Sequence, residues 1–302
     1  MSTQGLKAVL CIALLAGPGL AAADPLLVQP AWLAEHLNDR DLVLLHVGQR
    51  DEYDAGHIEG ARYVTLRDVA AEEKDKGLSL ELPDAARLHG QLEALGISDK
   101  SRVVVYFGKD WVSPATRILF TLDAAGLGKN AALLDGGMPA WKREGHALSK
   151  AAAPSARGVL SPLTLRPLVV DASFVQVNRR KPGYALIDGR SASLYDGVQT
   201  GGSKEAPHKT GHIAGAASIP FNAITETDLS FKTNDKLAAM FSAAGVKPGD
   251  TIIGYCHIGQ QATTMLYAAR SLGYKFVLYD GSFEDWSRRD LPVDNPGAKK
   301  LN

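Results

Sequence analysis

The sequence predicts an α/β protein made of two tandem domains, each a small, mainly parallel sheet flanked by helices. Three observations lead there. Short apolar runs suited to strands alternate with stretches of helical period, the pattern of βα units. The same order of runs occurs twice along the chain. The length, 302 residues, is twice the roughly 150 usual for one domain.

In the first half, the apolar period of QPAWLAEHLND (29–39) reads as a helix and the unbroken run LVLLHV (42–47) as a strand. A turn-rich stretch, EYDAGHIEGARYV (52–64), precedes a helix around DAARLHGQLEALG (84–96), a strand RVVVYF (102–107) and a helix over 113–125. The strand AALLDGG (131–137) and a short helix holding Trp141 close this half. The second half follows the same plan. It runs from the helix DASFVQVNRR (171–180) and strand YALIDGR (184–190) through the turn TGHIAGAASIP (210–220) to the helix KLAAMFSAAGV (236–246). The strand TIIGYC (251–256), helix QATTMLYAARSLG (261–273), strand FVLYDGS (276–282) and closing segment EDWSRRDLPV (284–293) complete it. The Ala-, Ser- and Pro-rich stretch SKAAAPSARGVLSP (149–162) has no period. Domains over 24–150 and 166–302, joined by a linker over 151–165, are therefore expected.

Composition excludes several classes of function. Hydrophobic residues make up 45% and charged residues 22%, which permits a sizeable core and fits neither a disordered nor a fibrous chain. Lys plus Arg and Asp plus Glu both number 33, so no overall field draws the chain to nucleic acid or an anionic membrane, and any anion site must be local. Two cysteines and eight scattered histidines give no disulfide framework and no metal-ligand spacing. Neither a metal nor another cofactor is implied.

Lys7, the apolar run AVLCIALLAGPGLA (8–21) and Ala21-Ala22-Ala23 before Asp24 have the form of a secretory signal with a small-residue cleavage site. Gly17, Pro18 and Gly19 interrupt a run already short of the ~20 apolar residues of a membrane span. Cleavage of 1–23 is expected, giving a periplasmic or secreted protein free of the membrane, with a two-domain monomer as the default. Cleavage also removes Cys11. Cys256 is then the single thiol, in a compartment where thiols tend to be oxidised.

The two halves share landmarks. Gly56-His57-Ile58 matches Gly211-His212-Ile213, and Asp135-Gly136-Gly137 matches Asp280-Gly281-Ser282, each of the latter ahead of a Trp at the same distance. These read as structural, since a His in such a turn usually bonds backbone. The halves differ in four places. Asp188 and Arg190 stand where the first half has His46 and Gly48, and Tyr255-Cys256 stands where it has Tyr106-Phe107. From that Tyr to the matching Ala-Thr pair, the second half is two residues shorter (Ala262-Thr263 against Ala115-Thr116). Between the first strand and the Gly-His-Ile turn it is thirteen residues longer, through the polar, Gly-rich insert LYDGVQTGGSKEAPHK (194–209), which reads as a surface loop bordering a cleft.

Ligands of open α/β sheets bind beyond the carboxyl ends of the strands, where both Cys256 and Arg190 fall. The segment His257-Ile258-Gly259-Gln260-Gln261-Ala262 lies between strand and helix, where successive backbone N–H groups can turn inward and the helix start adds partial positive charge. Both features favour an accessible thiolate over a thiol, hence a nucleophile near neutral pH, and both would equally hold an anion. Gly259 permits the tight curve. His257, the next residue, could add charge that depends on pH.

These residues resemble the rhodanese, or sulfurtransferase, superfamily in its form with two tandem rhodanese-like domains. The resemblance covers essentially the whole mature chain. It rests on the paired Gly-His-Ile turns, the lone Cys opening a six-residue loop, and YDGSFEDWSRRDLPV (279–293) after it. It implies a first domain without catalytic function, as Phe107 in place of the thiol agrees. It also implies ping-pong transfer of sulfane sulfur. Cys256 takes sulfur from a small anionic donor such as thiosulfate and passes it as a persulfide to cyanide or a thiol. Arg190 would hold the donor and Asp188 would orient the loop or the arginine. From the residues alone, the same pair reads equally as a buried ion pair that fixes the fold.

For the donor, the resemblance gives two directions. Thiosulfate-type members place basic residues after the Cys and mercaptopyruvate-type members a Gly-Ser-Gly-Val-Thr run. This loop has neither, and His208 and Lys209 stand where the latter type carries an extra arginine. Thiosulfate is the expected donor, with 3-mercaptopyruvate as the alternative. A non-enzymatic persulfide carrier or redox sensor fits the same residues. Phosphatases and arsenate reductases with a related loop need an Arg clamp, where this chain has Ala262 and Thr263. A Cys-His hydrolase is disfavoured because His257 adjoins Cys256 within one tight loop.

Overall fold

The computed structural model describes residues 25–73, 77–109, 111–204 and 207–297. The expected secretory segment, 1–23, lies outside these residues. Ten elements form the first half: β1 (Leu27–Val28), α1 (Pro30–His36), β2 (Leu42–Val47), α2 (Arg50–Ala55), β3 (Arg62–Val64), α3 (Ala85–Ala94), β4 (Arg102–Phe107), α4 (Ser113–Ala124), β5 (Ala131–Leu134) and α5 (Gly137–Arg143). The second half comprises β6 (Val169–Val170), α6 (Ala172–Asn178), β7 (Tyr184–Asp188), α7 (Ala192–Tyr195), β8 (His212–Ile213), β9 (Ala217–Ser218), α8 (Asn234–Ala243), β10 (Thr251–Tyr255), α9 (Ala262–Ser271), β11 (Lys275–Tyr279), α10 (Ser282–Ser287) and β12 (Val293–Asp294).

The strands build two five-stranded sheets with equivalent orders, β1-β5-β4-β2-β3 and β6-β11-β10-β7-β9, plus a small β12-β8 ribbon. Every pairing within the large sheets is parallel. The α/β architecture with two mainly parallel sheets is thus as the sequence implies. β2, β4 and β10 are buried from their second residue onwards, because parallel strands covered by helices on both faces must be apolar along their length rather than alternately. The edge strands β1 and β6 have two residues each, and the helices α2 and α7 have six and four. Neither pair of elements follows from periodicity.

The halves meet through α4 and α9. All of α4 except Pro114 is buried, since it lies between its own sheet and the other half. At the meeting point Thr116 Oγ1 is 3.0 Å from Thr263 Oγ1 and 3.1 Å from Thr264 Oγ1. The matched Asp-Gly landmarks act reciprocally across this boundary. Asp135 accepts the N–H of Phe231 in the second half at 2.8 Å, and Asp280 accepts the N–H of Leu82 in the first at 2.7 Å. The matched histidines are structural too. His57 stacks on Tyr53 with Nδ1 at 2.9 Å from the Tyr53 carbonyl, and His212 stacks on Tyr195 with Nδ1 at 2.8 Å from the Tyr195 carbonyl.

Candidate active site

The sheet order decides where the second-half loops converge. From β7 the chain crosses to β9 on one side, and from β10 to β11 on the other, so a crevice opens beyond the carboxyl ends of β7 and β10. Tyr255, the last residue of β10, pairs with Asp188, the last of β7, and the Gly189 N–H donates to the Tyr255 carbonyl at 2.8 Å. Cys256 therefore emerges between the ends of β7 and β11. Its N–H donates to Ser282 Oγ (3.2 Å), and its carbonyl accepts the N–H of Phe283 (3.0 Å).

Beyond Cys256 the chain curls through His257, Ile258, Gly259, Gln260 and Gln261, and α9 begins at Ala262. Gly259 has φ +76°, and a Cβ there would lie 2.7 Å from Asp280 Oδ1, so only glycine fits. Thr263 and Thr264 donate back to the carbonyls of Gln260 and Gln261, both at 3.1 Å. Among the described residues, no acceptor is present for the backbone N–H groups of His257, Ile258, Gly259, Gln260, Gln261 or Ala262. Six successive donors without a protein acceptor lead into a ten-residue helix, a combination able to attract negative charge.

The expected accessible thiol is not what the structure holds. Cys256 is 0% exposed and also touches the core that contains Ile187 and Ile252. The strand end that carries it is simply too deep in the sheet for the sulfur to reach solvent. A cleft of about 610 Å³ opens above the loop, floored by His257 and Ile258 and walled by Leu194, Gly201, His208 and Glu284. The insert 194–209 thus borders the cleft as expected. A reagent reaches Sγ only when the atoms over it move aside.

Asp188 and Arg190 form a buried ion pair, with side chains 0% and 1% exposed. Arg190 Nε donates to both carboxylate oxygens at 3.0 Å, Nη2 to Oδ2 at 2.6 Å and to the Gly211 carbonyl at 2.7 Å. Burial opposes the guanidinium charge, but Asp188 outweighs it and holds Arg190 above its ordinary value. The guanidinium also lies 4.0 Å above the Phe283 ring centroid. The fold-fixing reading of this pair is therefore realised. Among the described residues, Nη1 has no hydrogen-bond acceptor.

His257 does not carry the charge the sequence suggests. Burial, then the nearby Arg190 and His208, lower its pKa to about 4, so the ring is neutral at pH 6. It faces His208 with the two Nδ1 atoms 3.4 Å apart, and burial lowers His208 as well. In the first half, at the place of Asp188, His46 is wholly buried with both ring nitrogens unpartnered, and burial lowers it to about 4, partly offset by Glu52.

A prediction follows for stability. An unfolded His takes up a proton as pH falls through about 6.5, whereas folded His46 stays neutral down to about 4. The unfolded state binds more protons across that window, so stability declines as pH drops through it. By pH 5, His46 alone should cost about 2 kcal/mol relative to pH 7.5. Urea titrations at the two pH values measure this. His46→Gln should lessen the dependence by that amount while the contribution of His257, lowered likewise, remains, and a flat wild-type profile would contradict it.

Two residues at the site escape a sequence reading that treats Asp-Gly-Gly and Asp-Gly-Ser as equivalent. Ser282 has φ +51° and Gly137 has φ +54°, a left-handed conformation that is costly for serine. Its hydroxyl accepts from the Cys256 N–H and donates to the Tyr279 carbonyl at 2.8 Å. In the first half, a Cβ on Gly137 would lie 2.7 Å from the Phe107 ring. The exchange of Phe107 for Cys256 thus accompanies the exchange of Gly137 for Ser282, and that pairing was the available signal. Phe283, over Arg190, belongs to the same segment.

The duplicated plan and the Cys256 loop can now be compared with known proteins. The rhodanese-like domain family matches residues 29–144 and again 172–289. The chain belongs to the rhodanese-like family. The chain is 31% identical to a probable 3-mercaptopyruvate sulfurtransferase of Pseudomonas aeruginosa, over 84% of this chain and 92% of that one. It is 29% identical to a putative thiosulfate sulfurtransferase of Synechococcus elongatus, over 88% and 84%. An anaerobic ergothioneine biosynthesis enzyme from Chlorobium limicola, solved with trimethyl histidine, superimposes with a TM-score of 0.79 at 21% identity, covering 89% of this chain and 70% of that one. That likeness shows the fold alone. Among the described residues, no group of three or more His, Cys, Asp or Glu side chains is placed to hold a metal ion, and no helix is long and apolar enough to cross a membrane.

Proposed function

We propose that this protein is a sulfurtransferase that moves sulfane sulfur from thiosulfate to cyanide or a thiol through a persulfide on Cys256. The observation that carries the proposal is the run of six backbone N–H groups, from His257 to Ala262, that directly follows that residue and has no acceptor among the described residues. The Cys256 thiolate attacks the outer sulfur of thiosulfate, a new S–S bond forms, and sulfite leaves with the electrons of the bond that breaks. The persulfide anion then lies against these amides, which stabilise its charge as an oxyanion hole does. The acceptor attacks the outer sulfur, takes it away and regenerates the thiolate. Arg190 Nη1 would meet the donor's anionic end while Asp188 holds the guanidinium in place. The first domain, with Phe107 at the matching position, takes no covalent part. Export through the signal at 1–23 would place the reaction in the periplasm or outside the cell.

The named relatives support sulfurtransferase activity and divide over the donor. 3-Mercaptopyruvate is the second reading, favoured by the Pseudomonas relative. Steady-state assays with cyanide as acceptor and each donor in turn separate the two. Thiosulfate is expected to give the higher kcat/KM. An advantage of about tenfold or more for mercaptopyruvate, 1.4 kcal/mol in transition-state binding, would reverse the assignment.

A further inference from the structure

The half of the molecule without a thiol reaches into the loop that has one. Arg117, on α4, is buried (3% exposed) and makes three hydrogen bonds, none within its own helix. Nη1 donates to Asp280 Oδ1 at 2.6 Å and to the Gly259 carbonyl at 3.0 Å, and Nη2 donates to the Leu80 carbonyl at 2.6 Å. Asp280 is in turn fixed by the Leu82 N–H through its other oxygen. Nearby, Gln260 Nε2 donates to Ser113 Oγ at 3.1 Å.

This contact breaks the molecule's internal symmetry. The Asp135 and Asp280 bonds are reciprocal, and Thr116 matches Thr263 on the shared seam. The residue matching Arg117 is Thr264, whose short side chain has no counterpart of the Gly259 bond among the described residues. The cation is present on one side, and its Nη1 reaches the Gly259 carbonyl in the Cys256 loop. Its direction matters because a peptide unit is planar and trans, with C=O and N–H pointing opposite ways. Fixing the Gly259 carbonyl towards Arg117 turns the Gln260 N–H away from Arg117. A left-handed Gly259 would otherwise flip at little cost.

We propose that Arg117 is a positioning residue through which the thiol-free domain sets the Gly259–Gln260 peptide of the Cys256 loop, so that the loop's amides face the sulfur. The inference rests on the sulfurtransferase reading above and explains what the first domain contributes to it. Two variants test it in the full chain. Arg117→Lys keeps the charge beside Asp280 but has no planar fork to serve three acceptors. Arg117→Met with Asp280→Asn removes both charges together and leaves no buried ion without its partner. Each should fold, as melting curves and circular dichroism report. In each, kcat per titratable site should fall about tenfold or more, the loss of one charged hydrogen bond, with thiosulfate KM within about threefold. The pH midpoint for alkylation by iodoacetamide should rise in both. A purely structural arginine would lower melting temperature and the number of active sites while leaving kcat per site and the alkylation profile unchanged. That result overturns the proposal. Failure of the underlying reading looks different: wild-type protein then turns over neither donor, and the proposal falls with it.

Discussion

Replacing Cys256 by serine is expected to abolish sulfur transfer and leave the fold in place. Serine nearly matches cysteine in shape, and the hydrogen bonds to Ser282 and Phe283 are made by the backbone of Cys256, so no buried polar group loses a partner. It cannot form the persulfide on which both half-reactions depend. Loss of a covalent nucleophile should lower kcat by about 10⁴-fold or more, read as thiocyanate formed from thiosulfate and cyanide. Melting temperature should stay within a few degrees of wild type. Activity retained to within tenfold by a folded Cys256→Ser protein would remove the residue from the mechanism.

Arg190→Ala is expected to damage the fold before it damages binding. The variant strands a carboxylate that is 0% exposed, and removing one partner of a buried pair costs about 3–5 kcal/mol. Asp188→Asn leaves the arginine in the same position. The double change Asp188→Leu with Arg190→Met removes both ions at similar volume and should recover most of that stability. Any donor-holding role then stands apart. The recovered double variant should need at least about tenfold more thiosulfate to saturate, the worth of one charged hydrogen bond to Nη1. A single Arg190→Ala variant as stable as wild type would contradict the burial argument, and an unchanged KM in the double variant would contradict the binding one. Denaturant titration and steady-state kinetics give both answers.

The large elements were legible because parallel strands buried on both faces write themselves as unbroken apolar runs. LVLLHV became β2 and RVVVYF became β4 with their limits unchanged. β1 and β6 were not legible: two residues carry no period, and they exist because β5 and β11 have an edge to cover. At the site, Cys256 and its loop were found by comparing the halves, since chemistry left a difference there. The depth of the thiol was not readable, because alternation and spacing say nothing about how far a strand end lies below the surface. The charge of His257 was misjudged for the same reason, as it depends on burial and on the Arg190 and His208 neighbours that the insert and β7 bring in. Arg117 lies on a helix that reads as ordinary core. Its partners Gly259 and Asp280 are 142 and 163 positions away, beyond the reach of any local pattern.

A fully buried Cys256 sulfur, at the head of a loop whose amides have no acceptor among the described residues, is expected to receive and give up a sulfur atom. Intact-mass spectrometry of the mature protein after brief exposure to thiosulfate, then to cyanide, tests this directly. The expected result is a gain of one sulfur atom, mapped to Cys256, lost on cyanide with one equivalent of thiocyanate released and repeated over many cycles. A protein whose mass does not change under either donor, while Cys256 stays reduced and intact, would contradict it.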